Sequence, residues 1–276
     1  MRIVYTGKSS MSRYSGPVFD AHVHTEFART DSLQAFKALQ ARFDIRASVT
    51  DSHNPGCDAG QLQALGVARC AVIAQPEWSP ASLAQGLARG IYGAIKINLG
   101  FMHVHADDPR LMPLYALARE FDVPVLFHSG DTGWHRSKLK YAHPLSLDEV
   151  IVDHPDVNFV LVHSGNPWFT DAAVLAAKNH NVWLELSSII EGSLSDVSQA
   201  TLGRLMVEPI RWMLDYTGKP ERFLFGSGWP SVDYPGYVAA CASAIDEQYH
   251  RQVFFDNAAR LFKWTEEEEP TCDERS

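Results

Sequence analysis

Two histidines one residue apart, His22 and His24 in Asp20-Ala21-His22-Val23-His24, offer the first chemistry in this chain. Residues 17–23 are apolar and β-branched enough for a buried strand, and residues two apart in a strand project to the same side. Both imidazoles can therefore reach one metal ion. Neutral imidazole nitrogens suit zinc first, then manganese, iron or nickel, and a site that does chemistry keeps a coordination position open. Two later segments repeat the design: Val123-Pro124-Val125-Leu126-Phe127-His128 and residues 157–163 (VNFVLVH) are apolar runs that end in histidine and pass into Ser-Gly. Histidine brings polar nitrogens that need partners. Packing alone does not call for it at three strand ends, and the pattern predicts one shared site.

Strand-like and helical segments alternate along the chain, which predicts parallel α/β structure. The strands are expected at 17–23, 45–50, 67–74, 91–97, 123–128, 157–163, 182–186 and 223–226. Between and after them, helices are expected at 31–42, 58–65, 79–89, 109–121, 146–152, 167–178, 201–216, 237–248 and 257–263. Eight alternations predict a closed (β/α)8 TIM-like barrel over residues 17–265, which with the histidines above reads as one of the metal-dependent hydrolase type, and a fold of about 250 residues uses nearly the whole chain. Residues 1–16 form an N-terminal extension, and residues 266–276 (EEEEPTCDERS) are expected to be an acidic, disordered tail. In this fold chemistry sits at the C-terminal ends of the strands, where the histidines fall.

The 276 residues are 46% hydrophobic and carry a formal net charge of -9, enough for a full core and without the basic patch that nucleic acid requires. Cys57, Cys70, Cys241 and Cys272 show no metal-finger spacing and no disulfide framework, consistent with a reducing cytoplasm. No signal peptide and no apolar run of membrane-spanning length is visible. The expected partner is a small-molecule substrate rather than nucleic acid or a membrane, and a homo-oligomer is compatible with the sequence.

The segments DAHVHT, FHSG, LVHSGNPW, FGSGWP and FDNAARLF together resemble the amidohydrolase superfamily. The resemblance is to its amidohydrolase-related branch, which includes carboxymuconate-semialdehyde decarboxylases and lactone or amide hydrolases, and it covers most of residues 17–263. It implies that His22, His24 and His128 bind a divalent metal and that His163 contacts the water or the substrate. It also implies an aspartate ending the eighth strand, as ligand and general base. Here that position is Gly228 in residues 222–230 (RFLFGSGWP). Glycine can neither ligate nor accept a proton, and loss of a positioned base alone costs about 10²- to 10⁴-fold in rate.

Among stand-ins, Asp131 lies nearest in sequence, three residues beyond His128; Asp51, Asp233 and Glu77 follow, all set against the common use of acidic residues in turns. Lys96 in Ala94-Ile95-Lys96-Ile97-Asn98 is costly within an apolar strand unless paired or at its mouth, and is read as a contact for a substrate carboxylate. Trp168 and Trp229, each just past a strand, can wall an apolar pocket. His103 and His105 lie in a loop suited to a substrate lid, with His53 and His135 in loops of the same face. Asp20 is expected to bond the histidine edge or nearby backbone. The functional expectation is a metal-dependent hydrolase of a small carboxylate-bearing amide, ester or lactone, impaired if Gly228 removes a needed group. The alternatives are a nonoxidative decarboxylase and a noncatalytic metal- or metabolite-binding protein.

Overall fold

A computed structural model describes residues 14–24, 30–52, 67–73 and 79–265. Eight parallel strands follow one another round a single sheet: β1 (Val18–Val23), β2 (Ile45–Ser52), β3 (Val67–Ile73), β4 (Ala94–Ile97), β5 (Val125–His128), β6 (Phe159–Val162), β7 (Val182–Glu185) and β8 (Phe223–Leu224). The ring closes through residues just past β8. Ala21 N–H donates to Phe225 O (2.9 Å), Gly228 N–H to His22 O (2.8 Å) and His24 N–H to Trp229 O (2.7 Å). The expected (β/α)8 barrel is the observed fold.

Parallel strands require crossovers, and helices supply them. In order they are α1 (Thr30–Phe43), α2 (Pro80–Ala88), α3 (Leu99–Met102), α4 (Met112–Phe121), α5 (Asp148–Asp153), α6 (Phe169–Lys178), α7 (Gln199–Leu202), α8 (Glu208–Thr217), α9 (Tyr234–Ala244) and α10 (Asn257–Leu261). A π turn at Gly203–Val207 joins α7 to α8 without a break. The largest boundary shift from the sequence reading is at α9, which starts earlier because Pro235 fits its first turn and ends where Ile245 turns extended. The helix expected at 58–65 lies outside the described residues, as do residues 1–13 and the 266–276 tail.

Two apolar layers position the site. Ile95, Ile97, Val125, Phe127, Phe159, Leu161, Leu184 and Phe225 pack outward with Leu83, Leu114, Leu175 and Met213 of the helices. Phe19, Ala21, Ala47, Val49, Ala94, Leu126, Val160, Val162, Trp183 and Leu224 form a second cluster, the barrel interior, joined by Phe255, Ala258 and Leu261. Strand residues two apart share a side, so the interior series continue upward to Asp51 on β2, Lys96 on β4, His128 on β5 and Glu185 on β7. Each of these four strands carries apolar residues below and one titratable side chain at its C-terminal mouth.

β1 obeys this only with a correction. Val18 and Val23 both belong to the outer layer although five residues apart, which strict alternation forbids. The pairing of β1 with β2 slips between Asp20 and Val23, an irregularity of the bulge type. It re-aims the strand so that Phe19 and Ala21 pack inside while His22 and His24, just above them, also turn to the mouth, their rings 4.6 Å apart.

Candidate metal and active site

His22 is the centre of the site and uses both ring nitrogens. Its Nε2 lies 3.1 Å from Lys96 Nζ, and its Nδ1 lies 2.9 Å from Ser187 Oγ. An ammonium only donates, so Nε2 presents its lone pair and Nδ1 carries the hydrogen. The same reasoning fixes His163, whose Nδ1 lies 3.0 Å from the carbonyl of Ser187 and must donate, leaving Nε2 bare. In His128, Nε2 faces the Asp131 carbonyl at 3.1 Å and carries the hydrogen instead. Burial, before any neighbouring charge, pushes His22, His24 and His128 down to about 3 and His163 well below its ordinary value. All four rings are therefore neutral at physiological pH, the form in which imidazole binds metal.

On the Nε2 side of His22 stands an ion pair. Lys96 Nζ donates to Asp51 Oδ2 at 2.6 Å, both side chains are buried, and His24 Nδ1 lies 3.7 Å from the same oxygen. Burial alone would push the Asp51 carboxyl up, but the Lys96 ammonium, with smaller help from His22 and His24, holds it well below the usual carboxylate range. On the Nδ1 side the groups are linked by hydrogen bonds. Ser187 Oγ donates to Glu185 Oε2 (2.7 Å) and offers its lone pairs to His22 Nδ1 and His163 Nδ1, 2.9 Å from each. Glu185 Oε2 also accepts from His163 N–H at 3.2 Å, and burial raises this carboxyl to about 7.

The backbone at the strand ends is shaped for these contacts. His163, Ser164 and Gly165 have φ of 61°, 48° and 69° in succession, a reversal in the left-handed region that non-glycine residues enter at a cost of about 1–3 kcal/mol. Ser164 Oγ donates to Glu185 O (3.0 Å), anchoring the reversal to β7. Asp20 is buried, and its Oδ1 accepts from His22 N–H (3.2 Å) and Ser227 N–H (2.8 Å). It therefore ties β1 to the segment after β8 through backbone. The His22 tautomer is set by Lys96 and Ser187.

Gly228 has φ 77° and donates its N–H to His22 O, and a Cβ built there would fall on Ser188 Oγ. The position thus carries no side chain, and one placed there would strain the left-handed backbone and push the Ser188 hydroxyl aside. The Asp131 carboxylate is exposed and accepts from Gly133 N–H (3.1 Å) in a turn of its own loop; only its backbone carbonyl reaches His128. Trp229 is buried with its ring against Phe36 (5.2 Å), and Trp168 packs on His143 (4.7 Å). The aromatic rings that reach a site histidine are others. Phe101 meets His128 edge-on at 5.4 Å and stacks on Trp134 at 5.5 Å, whose own surface is 43% exposed. His103 Nε2 bonds the Arg136 carbonyl and His105 packs on Tyr141; His53 and Glu77 lie outside the described residues.

Among the described residues, two groups have ligand atoms within 4.8 Å of one another: His22, His24 and Asp51, and His22, His163 and Glu185. The donor set of neutral imidazole and carboxylate fits a divalent ion of the zinc class. The hydrogens on His22 Nδ1 and His163 Nδ1 make the second group an orienting set, of the kind that holds ligand imidazoles from behind. The first faces the mouth. Sequence reasoning did not single out Glu185 or Ser187, although the strand alternation of Trp183 and Glu185 contained the signal for the former.

A parallel barrel with neutral histidines and a carboxylate at its C-terminal mouth is an architecture able to hold a divalent metal ion. The family model for amidohydrolases matches residues 29–264, and the chain belongs to that family. A curated relative, the protein FluG of Emericella nidulans, is 28% identical over an alignment of 155 residues that covers 52% of this chain and only 18% of that protein's length. Among solved structures, a probable 2-pyrone-4,6-dicarboxylic acid hydrolase from Acinetobacter baumannii with bound citric acid is 14% identical, TM-score 0.64, covering 91% of this chain and 100% of its own. A 2,6-dihydroxybenzoate decarboxylase from Rhizobium is 15% identical, TM-score 0.63, with coverage of 90% and 98%. An amidohydrolase from Burkholderia multivorans with bound zinc is 16% identical, TM-score 0.64, with coverage of 90% and 99%. At these identities the structures establish the fold.

Proposed function

We propose that the protein is a metal-dependent hydrolase of a small carboxylate-bearing amide, ester or lactone. The observation that carries this reading is the convergence of His22 Nε2, His24 and Asp51 at the barrel mouth with His163 Nε2 bare beside them. His22, His24 and Asp51 would hold the ion, with His128 beside them; zinc is the ion proposed, supported by its presence in the Burkholderia protein of the same fold. When bound, such an ion lowers the pKa of water toward neutrality and polarises a carbonyl or carboxylate oxygen.

The chain's own groups do the rest. Lys96 supplies a cation for the substrate carboxylate, and the Phe101–Trp134 stack gives an apolar wall beside His128. His163, neutral and held by its Nδ1 hydrogen bond, presents Nε2 to take the proton of the attacking water and return it to the leaving nitrogen or oxygen as the C–N or C–O bond breaks. Ser187 and Glu185 keep the His22 and His163 rings in the required tautomer.

A second reading, nonoxidative decarboxylation, is favoured by Gly228, which offers no carboxylate, and by the pairing of the Asp51 carboxylate with Lys96. In that reaction the bond to the carboxylate carbon breaks, carbon dioxide leaves and the remaining carbon takes a proton, so no water need be deprotonated. Purified protein with its metal content quantified, challenged with panels of lactones, amides and arene carboxylates, separates the two: acid or alcohol products support hydrolysis and carbon dioxide supports decarboxylation. Stoichiometric metal with neither product would leave a binding protein, and no metal uptake would sink the metal-dependent reading altogether.

A further inference from the structure

Lys96 sits where a metal ion would be expected. Its Nζ is 2.6 Å from Asp51 Oδ2 and 3.1 Å from His22 Nε2, while those two atoms are 4.0 Å apart, so the ammonium occupies the apex between them. Zinc bound by the same nitrogen and oxygen would stand about 2.0–2.2 Å from each. Ammonium and ion cannot share that space, and the positive charge also neutralises the carboxylate that would attract a divalent cation. Gly228 adds no second carboxylate to outweigh it. The side chain has a long flexible stem, and its head is held by two contacts that the ion would take over.

We propose that Lys96 is a tethered cation that competes with the divalent ion for Asp51 and His22, and that the ammonium displaced by the ion becomes the docking point for the carboxylate of the substrate. The consequence is coupling: ion binding creates the anion site, and by linkage a bound anion tightens the ion. This rests on the metal reading above and adds to it an order of assembly in which the protein is a poor anion binder until loaded.

The test is zinc affinity, measured by competition with a chromogenic chelator, for the wild-type chain, Lys96→Met and Lys96→Gln. The glutamine variant is neutral yet can still donate to Asp51, which guards against a fold lost to an unpaired buried carboxylate. Removing a unit charge this close should tighten zinc by at least about tenfold in either variant. Benzoate affinity is then measured with and without zinc. Zinc should raise it at least about fivefold in the wild type and by less than about twofold in the variants. Equal or weaker zinc affinity in both folded variants would overturn the competition while leaving the metal reading intact, as would a benzoate gain that persists without Lys96, since the anion would then be meeting the ion directly. Failure of all three proteins to take up zinc would instead remove the metal reading, and this inference with it.

Discussion

The two sides of His22 are built on opposite principles. Its Nδ1 side is a set of hydrogen bonds in which Ser187, Glu185 Oε2 and His163 link the ends of β6 and β7. Its Nε2 side is an ion pair between Lys96 and Asp51 from strands β2 and β4, whose partners can be exchanged without breaking backbone contacts. Fixed hydrogen bonds behind a ligand position it, whereas exchangeable charges in front of it are where an ion or substrate enters. The barrel thus separates rigidity from chemistry by the width of one imidazole ring.

The strongest way to break this comparison is to remove the front. The double substitution His22→Ala and His24→Ala is expected to abolish stoichiometric zinc binding by elemental analysis; full retention would mean that the ion is held elsewhere. Next comes the corner at β8. Gly228→Asp should lower stability by about 1–3 kcal/mol through its left-handed backbone and its collision with Ser188, without tightening zinc. If Gly228→Asp combined with Ser188→Gly tightens zinc at least about tenfold, the corner is a lost ligand position; tightening by Gly228→Asp alone would show that the backbone there yields.

Ser187→Ala sharpens the distinction from behind. It strips the shared hydroxyl from Glu185, His22 and His163, and is expected to keep metal stoichiometry while weakening zinc affinity about 10- to 100-fold. Complete loss of metal would make Ser187 part of the front. The smallest effect is on the pH dependence of metal-free protein. Four histidines with depressed folded values favour the folded state more as pH rises toward 6.5, while Asp20 and Glu185, raised by burial to about 7, favour it less as pH rises from about 4 to 7. With His154, whose folded value burial also lowers, more imidazoles than carboxyls are shifted, so from about pH 4.5 toward 6 the unfolded chain binds more protons than the folded one. Melting temperature in chelator should therefore climb across that window and level off or dip slightly by pH 7; a fall throughout it would put the histidines in the protonated form.

Much of this was legible in the linear chain because barrels repeat. Alternating strands and helices gave the architecture, and His22, His24, His128 and His163 announced themselves by standing at apolar strand ends. Asp51 and Glu185 obey the same alternation, yet an acidic residue at a strand end reads equally as the start of a turn, and Asp51 stood only as a secondary candidate. Asp131, nearer in sequence to a histidine, is carried by its loop so that the carboxylate bonds Gly133 instead. Proximity along the chain says nothing about direction once the strand has ended.

The sequence alone determined the class of fold, the end of the barrel where titratable groups collect, and the absence of a carboxylate at position 228, since these depend on residue type and period. Only the tertiary structure decided which nitrogen of His22 faces the mouth, that Ser188 fills the space beside Gly228, and that Lys96 reaches Asp51 and His22 across strands β2, β4 and β1. Those are distances between residues 40 (Ser188 to Gly228) to 165 (His22 to Ser187) positions apart, fixed by barrel closure and by the slip in β1 pairing, and no local pattern encodes them.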